Sequence, residues 1–226
     1  MTNTHLDLVA GLDRPLAWYR GESVRYLVAD LSARQVTPPD AAARRAAPPL
    51  NLALCIDVSG SMSGDKIVAA RDAALAVAAT LTARDRLSIV AFDNVVEVLL
   101  DGRAMDAQGQ ALAATAIHRL QPRGSTNLFG GWVEAAERVA ATAATLQGGT
   151  PRVLILSDGQ ANQGLTDPTE IAVHVGALLE RGVLTSALGI GEGYDERLLG
   201  AIAAAGGGNL HDAAGGREVS EVVLGE

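Results

Sequence analysis

Oxygen-bearing side chains recur at alternate positions where the first strongly apolar run of the chain ends. Asp57, Ser59 and Ser61 lie in the segment Asp-Val-Ser-Gly-Ser. One carboxylate and two hydroxyls are hard donors, which Mg²⁺ prefers and zinc does not. Two residues of extended chain span roughly 6.6 Å, whereas neighbouring oxygens around Mg²⁺ lie about 3 Å apart. The chain must therefore curl after Asp57, and Gly60 between the serines is expected to permit the curl.

Two later segments offer further oxygen ligands. Thr126 lies in Gly-Ser-Thr-Asn, residues 124–127, directly before a stretch with helical spacing. Asp158 lies in Ser-Asp-Gly, residues 157–159, directly after an apolar run of strand length. Asp57 and Asp158 thus occupy the same position on two strands. In open α/β sheets, sites form beyond the carboxyl ends of strands where the chain switches direction, so we predict that both side chains reach one crevice.

The elements that position these residues alternate between strand-length apolar runs and longer stretches with helical spacing. The predicted strands are Leu50–Asp57, Leu87–Phe92, Val95–Leu100, Val153–Ser157, Val183–Ile190 and Asn209–His211. One predicted helix carries the apolar stripe Ile67, Ala70, Ala74, Val77, Ala78 and Leu81, and others cover about residues 107–120, 128–146, 168–181 and 195–205. This alternation predicts an α/β fold with a mostly parallel sheet. Because only Asp93 and Asn94 separate the second and third strands, the third must run antiparallel.

The two ends of the chain differ from this middle part. Residues 1–33 contain two alternating segments, Leu6–Leu12 and Val24–Leu31, which predict a β extension of two strands. Residues 34–49 are rich in proline and alanine and are predicted to form a linker. The alternating part then covers residues 50–212, and residues 213–226 form a C-terminal segment.

Composition restricts the function further. The net charge of −8 over 226 residues argues against a nucleic-acid partner, which requires a basic face. No apolar run reaches the roughly 18 residues that a membrane-spanning helix needs. The first 20 residues lack the pattern of a signal peptide, so a cytoplasmic location is expected. The lone cysteine, Cys55, lies within an apolar run and is predicted to be a buried small hydrophobe.

The three polar motifs, in this order on an α/β alternation, resemble the von Willebrand factor A domain over about residues 50–212. They look like its metal-ion-dependent adhesion site. The resemblance implies a Rossmann-like, doubly wound sheet of six strands in the order 3-2-1-4-5-6, with the third strand antiparallel and helices on both faces. It implies a bound Mg²⁺, with Mn²⁺ or Ca²⁺ as alternatives. Ser59, Ser61 and Thr126 would be direct ligands, and Asp57 and Asp158 would contact the metal directly or through water.

The resemblance also implies a function. In that family an acidic side chain of a partner protein typically completes the metal's coordination, so we expect a protein-interaction module and not an enzyme. The alternative is a metal-dependent hydrolase acting on phosphate esters. It needs a general base or nucleophile beside the metal, and the motifs offer none apart from the candidate ligands. Family analogy alone suggests a larger assembly with an ATPase.

Relatives in this family, including proteins like inter-alpha-trypsin inhibitor, place β-strands before the A domain that pair with strands after it. A two-stranded unit is marginally stable alone. We therefore expect the natural chain to continue beyond the C-terminal segment.

Overall fold

A computed structural model describes residues 4–12, 27–35, 48–143, 146 and 149–212. The chain divides into two compact units, Met1–Ala47 and Pro48–Glu226. The predicted C-terminal segment, residues 213–226, lies outside the described residues.

The first unit contains a pair of antiparallel strands, β1 (Thr4–Leu12) and β2 (Leu27–Gln35). Both predicted strands of the extension are therefore present. β2 continues two residues into the predicted linker because its last residue, Gln35, lies opposite Thr4, so the strand extends as far as its partner. Residues 24–26, predicted to begin this strand, and residues 36–47, the rest of the predicted linker, lie outside the described residues.

The second unit is built on a sheet of six strands. They are β3 (Leu50–Asp57), β4 (Arg86–Phe92), β5 (Val96–Ala104), β6 (Thr150–Ser157), β7 (Leu184–Gly189) and β8 (Gly207–Asp212). Their order across the sheet is β5-β4-β3-β6-β7-β8, which is 3-2-1-4-5-6 when strands are counted from β3. Neighbours are parallel except β4 and β5, which are antiparallel. The predicted α/β sheet and its reversed third strand are confirmed.

Within the described part of the second unit, five α-helices connect the strands: α1 (Asp65–Thr80), α2 (Ala107–His118), α3 (Leu128–Ala143), α4 (Pro168–Leu179) and α5 (Glu196–Ala205). α2, α4 and α5 begin where Asp106, Asp167 and Asp195 accept hydrogen bonds from backbone N–H groups of the first turn, which are otherwise unpaired. All predicted helices are present. α3, predicted to reach residue 146, is described as far as Ala143, and residues 144–145 lie outside the described residues.

The sheet is covered on both faces, which explains why β3 is apolar at nearly every position. Leu52, Leu54 and Ile56 pack in one hydrophobic cluster with residues of α1 and α2. Ala53 and Cys55 point to the other face, where the cluster includes residues of α3, α4 and α5. Cys55 is buried, as predicted. β3 carries two polar side chains: Asn51 near its start, whose amide donates to the carbonyl oxygen of Val139, and Asp57 at its carboxyl end.

In the described ranges, no helix combines the length and the hydropathy that crossing a membrane requires.

Candidate metal site

The segment after β3 brings two predicted ligands to coordination spacing. Gly60–Met62 forms a short 3₁₀ helix that begins directly after Ser59. The hydroxyl oxygens of Ser59 and Ser61 lie 3.1 Å apart. This distance matches the separation of about 3 Å between adjacent oxygens around a Mg²⁺ ion. The expected curl of the chain is therefore present, and the two hydroxyls can share one ion.

The role of Gly60 differs from the one predicted. The backbone of Gly60 does not have a positive φ, so the turn does not depend on the conformational freedom of glycine. Its amide N–H instead donates to the carbonyl oxygen of Gly124 at 3.0 Å. A Cβ atom at position 60 would lie only 3.3 Å from that same oxygen. Gly60 thus allows close approach of the two loops that carry Ser59, Ser61 and Thr126.

Asp57 is a buried carboxylate with its own supporting hydrogen bonds. Its side chain is 0% exposed. The hydroxyl of Ser157 donates to Oδ2 at 2.5 Å, and the amide N–H of Ser59 donates to Oδ1 at 2.8 Å. Burial raises the pKa of Asp57, and the nearby charge of Asp158 raises it further, while the bonds from Ser157 and Ser59 oppose the shift. The environment therefore disfavours an isolated negative charge here and favours one that a cation neutralises.

Thr126 lies in a loop that two other loops hold in place. Its amide N–H donates to the side-chain oxygen of Asn162 at 2.9 Å. Its carbonyl oxygen accepts from the amides of Asn162 and Gln163, both at 3.1 Å. The bond between Gly60 and Gly124 connects this loop to the one after β3. Three loops are thus held together at the carboxyl edge of the sheet: the loop after β3, the loop before α3 and the loop after β6.

Asp158 follows β6 and is also 0% exposed. The ammonium group of Lys66, in the first turn of α1, donates to its Oδ2 at 2.7 Å. The amide N–H of Gln160 donates to Oδ1 at 3.2 Å. The five predicted site residues therefore lie at the end of β3 or in loops that meet at the same edge of the sheet. Their role as metal ligands stays a prediction.

Sequence reasoning gave no role to three polar residues at this edge. Ser157 bonds to Asp57, and Lys66 pairs with Asp158. Asp93 is buried and its Oδ2 accepts from Arg123 Nε at 3.0 Å, while its carbonyl oxygen accepts from the amide of Asn127 at 2.8 Å. Asp93 directly follows β4 as Asp158 directly follows β6, and this equivalence was the available signal. Ser157 belongs to the Ser-Asp-Gly motif, but nothing local indicated its bond to Asp57, and Lys66 carried no comparable signal because Asp158 is distant in sequence.

The donor set fits a hard divalent cation. Among the residues that the structure describes, no group of three or more His, Cys, Asp or Glu side chains could hold a metal ion. A metal at this edge would therefore depend on hydroxyl oxygens besides carboxylates. Asp57, Ser59, Thr126 and Asp158 are buried, and Ser61 is partly exposed. Oxygen-only donors with two carboxylates suit Mg²⁺ or Mn²⁺ better than zinc.

Replacing Gly124 by alanine is expected to lower the free energy of unfolding by about 2 kcal/mol. Gly124 has a φ of +65°, and a Cβ there would collide with Asn94 Oδ1 and lie 2.8 Å from Asp93 Oδ2. That oxygen cannot move freely because Arg123 holds it. Gly182→Ala is the matched control, since Gly182 has a φ of +86° with no atom within 4 Å of a Cβ. The free energy of unfolding of Gly182→Ala should fall by only about 1 kcal/mol, the cost of a left-handed backbone conformation for alanine. Urea unfolding of both variants tests this, and equal losses would show that the loop contact is unimportant.

Residues 52–160 match the family model described as von Willebrand factor type A domain. The chain is 32% identical over 166 residues to the uncharacterized protein sll0103 of Synechocystis, covering 72% of this chain and 37% of the relative. It is 33% identical over 164 residues to the uncharacterized protein YfbK of Escherichia coli, covering 72% and 28%. It is 28% identical over 173 residues to human inter-alpha-trypsin inhibitor heavy chain H6, covering 70% and 13%. The chain thus spans little more than a third, or less, of each of these relatives.

Solved structures share the fold at low sequence identity. A von Willebrand factor type A protein from Catenulispora acidiphila matches with a TM-score of 0.67 and 21% identity, covering 97% of this chain and 48% of that one. Manganese-loaded TRAP protein of Plasmodium vivax matches with a TM-score of 0.62 and 18% identity, covering 77% and 72%. Proximal thread matrix protein 1 from the mussel byssus, with a zinc-occupied MIDAS motif, matches with a TM-score of 0.59 and 19% identity, covering 78% and 46%. The family model over residues 52–160, these relatives and these structures together support a von Willebrand factor type A domain in this part of the chain.

Proposed function

We propose that this chain binds a divalent metal, Mg²⁺ in the first place, and through it an acidic side chain of a partner protein. Asp57, Ser59, Ser61, Thr126 and Asp158 would hold the metal. The observation that carries the proposal is the 3.1 Å separation of the Ser59 and Ser61 hydroxyl oxygens, which suits two neighbouring positions on one ion. The metal would supply a positive centre that attracts an anionic ligand.

The charge of the donor set supports an anionic ligand. Three of the five proposed ligand side chains are neutral hydroxyls, so they do not neutralise a divalent ion. Of the two carboxylates, Asp158 is already paired with Lys66. A metal held in this way keeps part of its positive charge, and an outside carboxylate is the protein group that best compensates it.

The rim of the crevice is accessible to a partner. Ser63, Gly124, Gln160, Asn162 and Gln163, in the loops that carry the proposed ligands, are exposed, while the proposed ligands are buried apart from the half-buried Ser61. These five rim residues are uncharged, so they present no repulsion to an approaching carboxylate. A polar, solvent-accessible rim is typical of specific protein interfaces.

Two proteins with the same fold provide support for metal binding, one loaded with manganese and one with zinc in its MIDAS motif. These are properties of those proteins, and we extend only the metal-binding capacity to this chain. Mn²⁺ and Ca²⁺ are the alternatives to Mg²⁺. A cytoplasmic location, the absence of nucleic-acid partners and a larger assembly with an ATPase remain predictions.

The test is capture of partners from a lysate by the immobilised chain, in Mg²⁺ and in EDTA. A partner that binds through the metal should be retained in Mg²⁺ and released by EDTA. The same chain with Asp57→Asn serves as the control, because it keeps the surface but loses a proposed ligand. Proteins retained equally by both chains and in both buffers would contradict the proposal.

The hydrolase alternative predicts turnover that this proposal does not. We expect no metal-dependent activity in a screen of phosphate esters and carboxylic esters, because both carboxylates at the site are engaged by Ser157 and Lys66 and no further base is part of the donor set. Activity that requires metal and disappears with Ser59→Ala would overturn the binding-module proposal. Residual activity unaffected by Ser59→Ala would point to a contaminant.

A further inference from the structure

Contacts of the ammonium group and of the aliphatic stem hold the Lys66 side chain beside the proposed metal site. Its Nζ lies 2.7 Å from Asp158 Oδ2, and the lysine side chain is 26% exposed while that of Asp158 is 0% exposed. Its aliphatic stem lies over Gly191, where a Cβ would come within 2.9 Å of Lys66 Cε and 3.0 Å of Cγ. Any larger residue at position 191 would displace the stem. The ammonium group is therefore placed by packing as well as by charge.

The ammonium group changes the charge of the site. Asp57 and Asp158 contribute two negative charges, and Ser59, Ser61 and Thr126 contribute none. With Lys66 the donor set and its immediate partner carry a net charge of about −1, and without it about −2. A divalent ion would bring the total to about +1 in the first case and to about zero in the second. Only the site that includes Lys66 keeps a full positive charge for an anionic ligand.

We propose that Lys66 sets the balance between the two binding events at this site, weakening the binding of the metal and strengthening the binding of a carboxylate to the metal-loaded site. The inference rests on the proposed function. A unit positive charge about 5 Å from a divalent cation weakens the binding of that cation roughly tenfold, even at the dielectric constant of water. The same charge attracts a carboxylate ligand, so the two effects of removing it have opposite signs.

The experiment compares the unsubstituted chain with Lys66→Met, which keeps the stem over Gly191, and with Lys66→Arg, which keeps the charge. Mn²⁺ affinity is measured by calorimetry. Acetate binding to the Mn²⁺-loaded chain is measured by water-proton relaxation at constant ionic strength. For Lys66→Met we expect Mn²⁺ to bind about tenfold more tightly and acetate several-fold more weakly. Lys66→Arg should change both affinities much less.

Two results would overturn the inference about Lys66 alone. One is an unchanged or weaker Mn²⁺ affinity in Lys66→Met, while Asp57→Asn removes Mn²⁺ binding. The other is acetate binding that does not weaken. A loss of both affinities in Lys66→Met would show a merely structural role. Equal Mn²⁺ affinities of the unsubstituted chain and Asp57→Asn would overturn the proposed metal site itself, and the inference with it.

A measurement without metal tests the ion pair separately. In EDTA, Lys66→Met is expected to lower the midpoint of urea unfolding, because it leaves the buried Asp158 carboxylate without its cation. In an Asp158→Asn background the same substitution should change the midpoint much less. Equal shifts in the two backgrounds would show that the pair does not exist in solution, which also contradicts the inference.

Discussion

Replacing Asp57 by asparagine is expected to weaken Mn²⁺ binding by at least about a hundredfold, equivalent to about 2.7 kcal/mol. The substitution keeps the size and an acceptor oxygen but removes one of only two carboxylate charges in the donor set. The remaining hydroxyls of Ser59, Ser61 and Thr126 are neutral and cannot replace that charge. Titration calorimetry with Mn²⁺ measures the effect, and Mg²⁺ should show the same pattern with lower heat.

The same substitution is expected to stabilise the protein in EDTA. Burial raises the pKa of Asp57. The folded state therefore binds the proton more tightly than the unfolded state, and stability falls as the pH rises above the ordinary pKa of aspartate, about 3.9. Asp57→Asn removes this loss, so the variant should unfold at a higher urea concentration than the unsubstituted chain at pH 7. At pH 3 the two chains should differ much less.

Asp167→Asn is the matched control for both measurements. Asp167 caps α4, where asparagine caps equally well, and it is exposed. Its substitution should change neither the Mn²⁺ affinity nor the free energy of unfolding in EDTA. An Asp57→Asn chain that binds Mn²⁺ as tightly as the unsubstituted chain would refute the site. A chain that is less stable in EDTA would show that the Asp57 carboxylate is not under electrostatic strain.

On a partner isolated by its sensitivity to EDTA, replacing one acidic residue by its amide is expected to reduce affinity at least about a hundredfold. Mg²⁺ releases bound water reluctantly, so a neutral amide gains too little from displacing it. A carboxylate compensates the positive charge that the hydroxyl ligands leave. Surface plasmon resonance in Mg²⁺, with Glu→Gln and Asp→Asn variants of the partner taken one at a time, identifies the residue.

The metal dependence of those variants provides the control. In EDTA, substitution of the indispensable acidic residue should not reduce the affinity further, because the unsubstituted partner also binds weakly there. Acidic residues elsewhere in the contact surface should change affinity severalfold at most, since exposed ion pairs contribute little. A partner that binds undiminished after every acidic residue of its contact surface is neutralised would show that the metal is not the binding device.

The sequence alone determined the class of fold and the carboxyl ends of the two strands that carry the site. Apolar runs are local patterns, so β3 and the end of β6 at Ser157 could be located from the residues themselves, although β6 begins three residues earlier than predicted. The short connection at Asp93 and Asn94 required an antiparallel β5, because no parallel crossover fits in so few residues. The motif residues Asp57 and Asp158 could be assigned to one edge of the sheet, since parallel strands end at the same edge.

Only the tertiary structure decided how those residues meet. The hydrogen bond from Ser157 to Asp57 joins residues 100 positions apart, and the pair of Lys66 with Asp158 joins residues 92 positions apart. No local pattern records such contacts, because they depend on which strands become neighbours and how the loops beyond them pack. The role of Gly60 also depends on a distant contact, because the absence of a side chain there allows close approach to Gly124. Charge balance at the site is therefore a property of the assembled sheet edge, while the donor types are a property of the sequence.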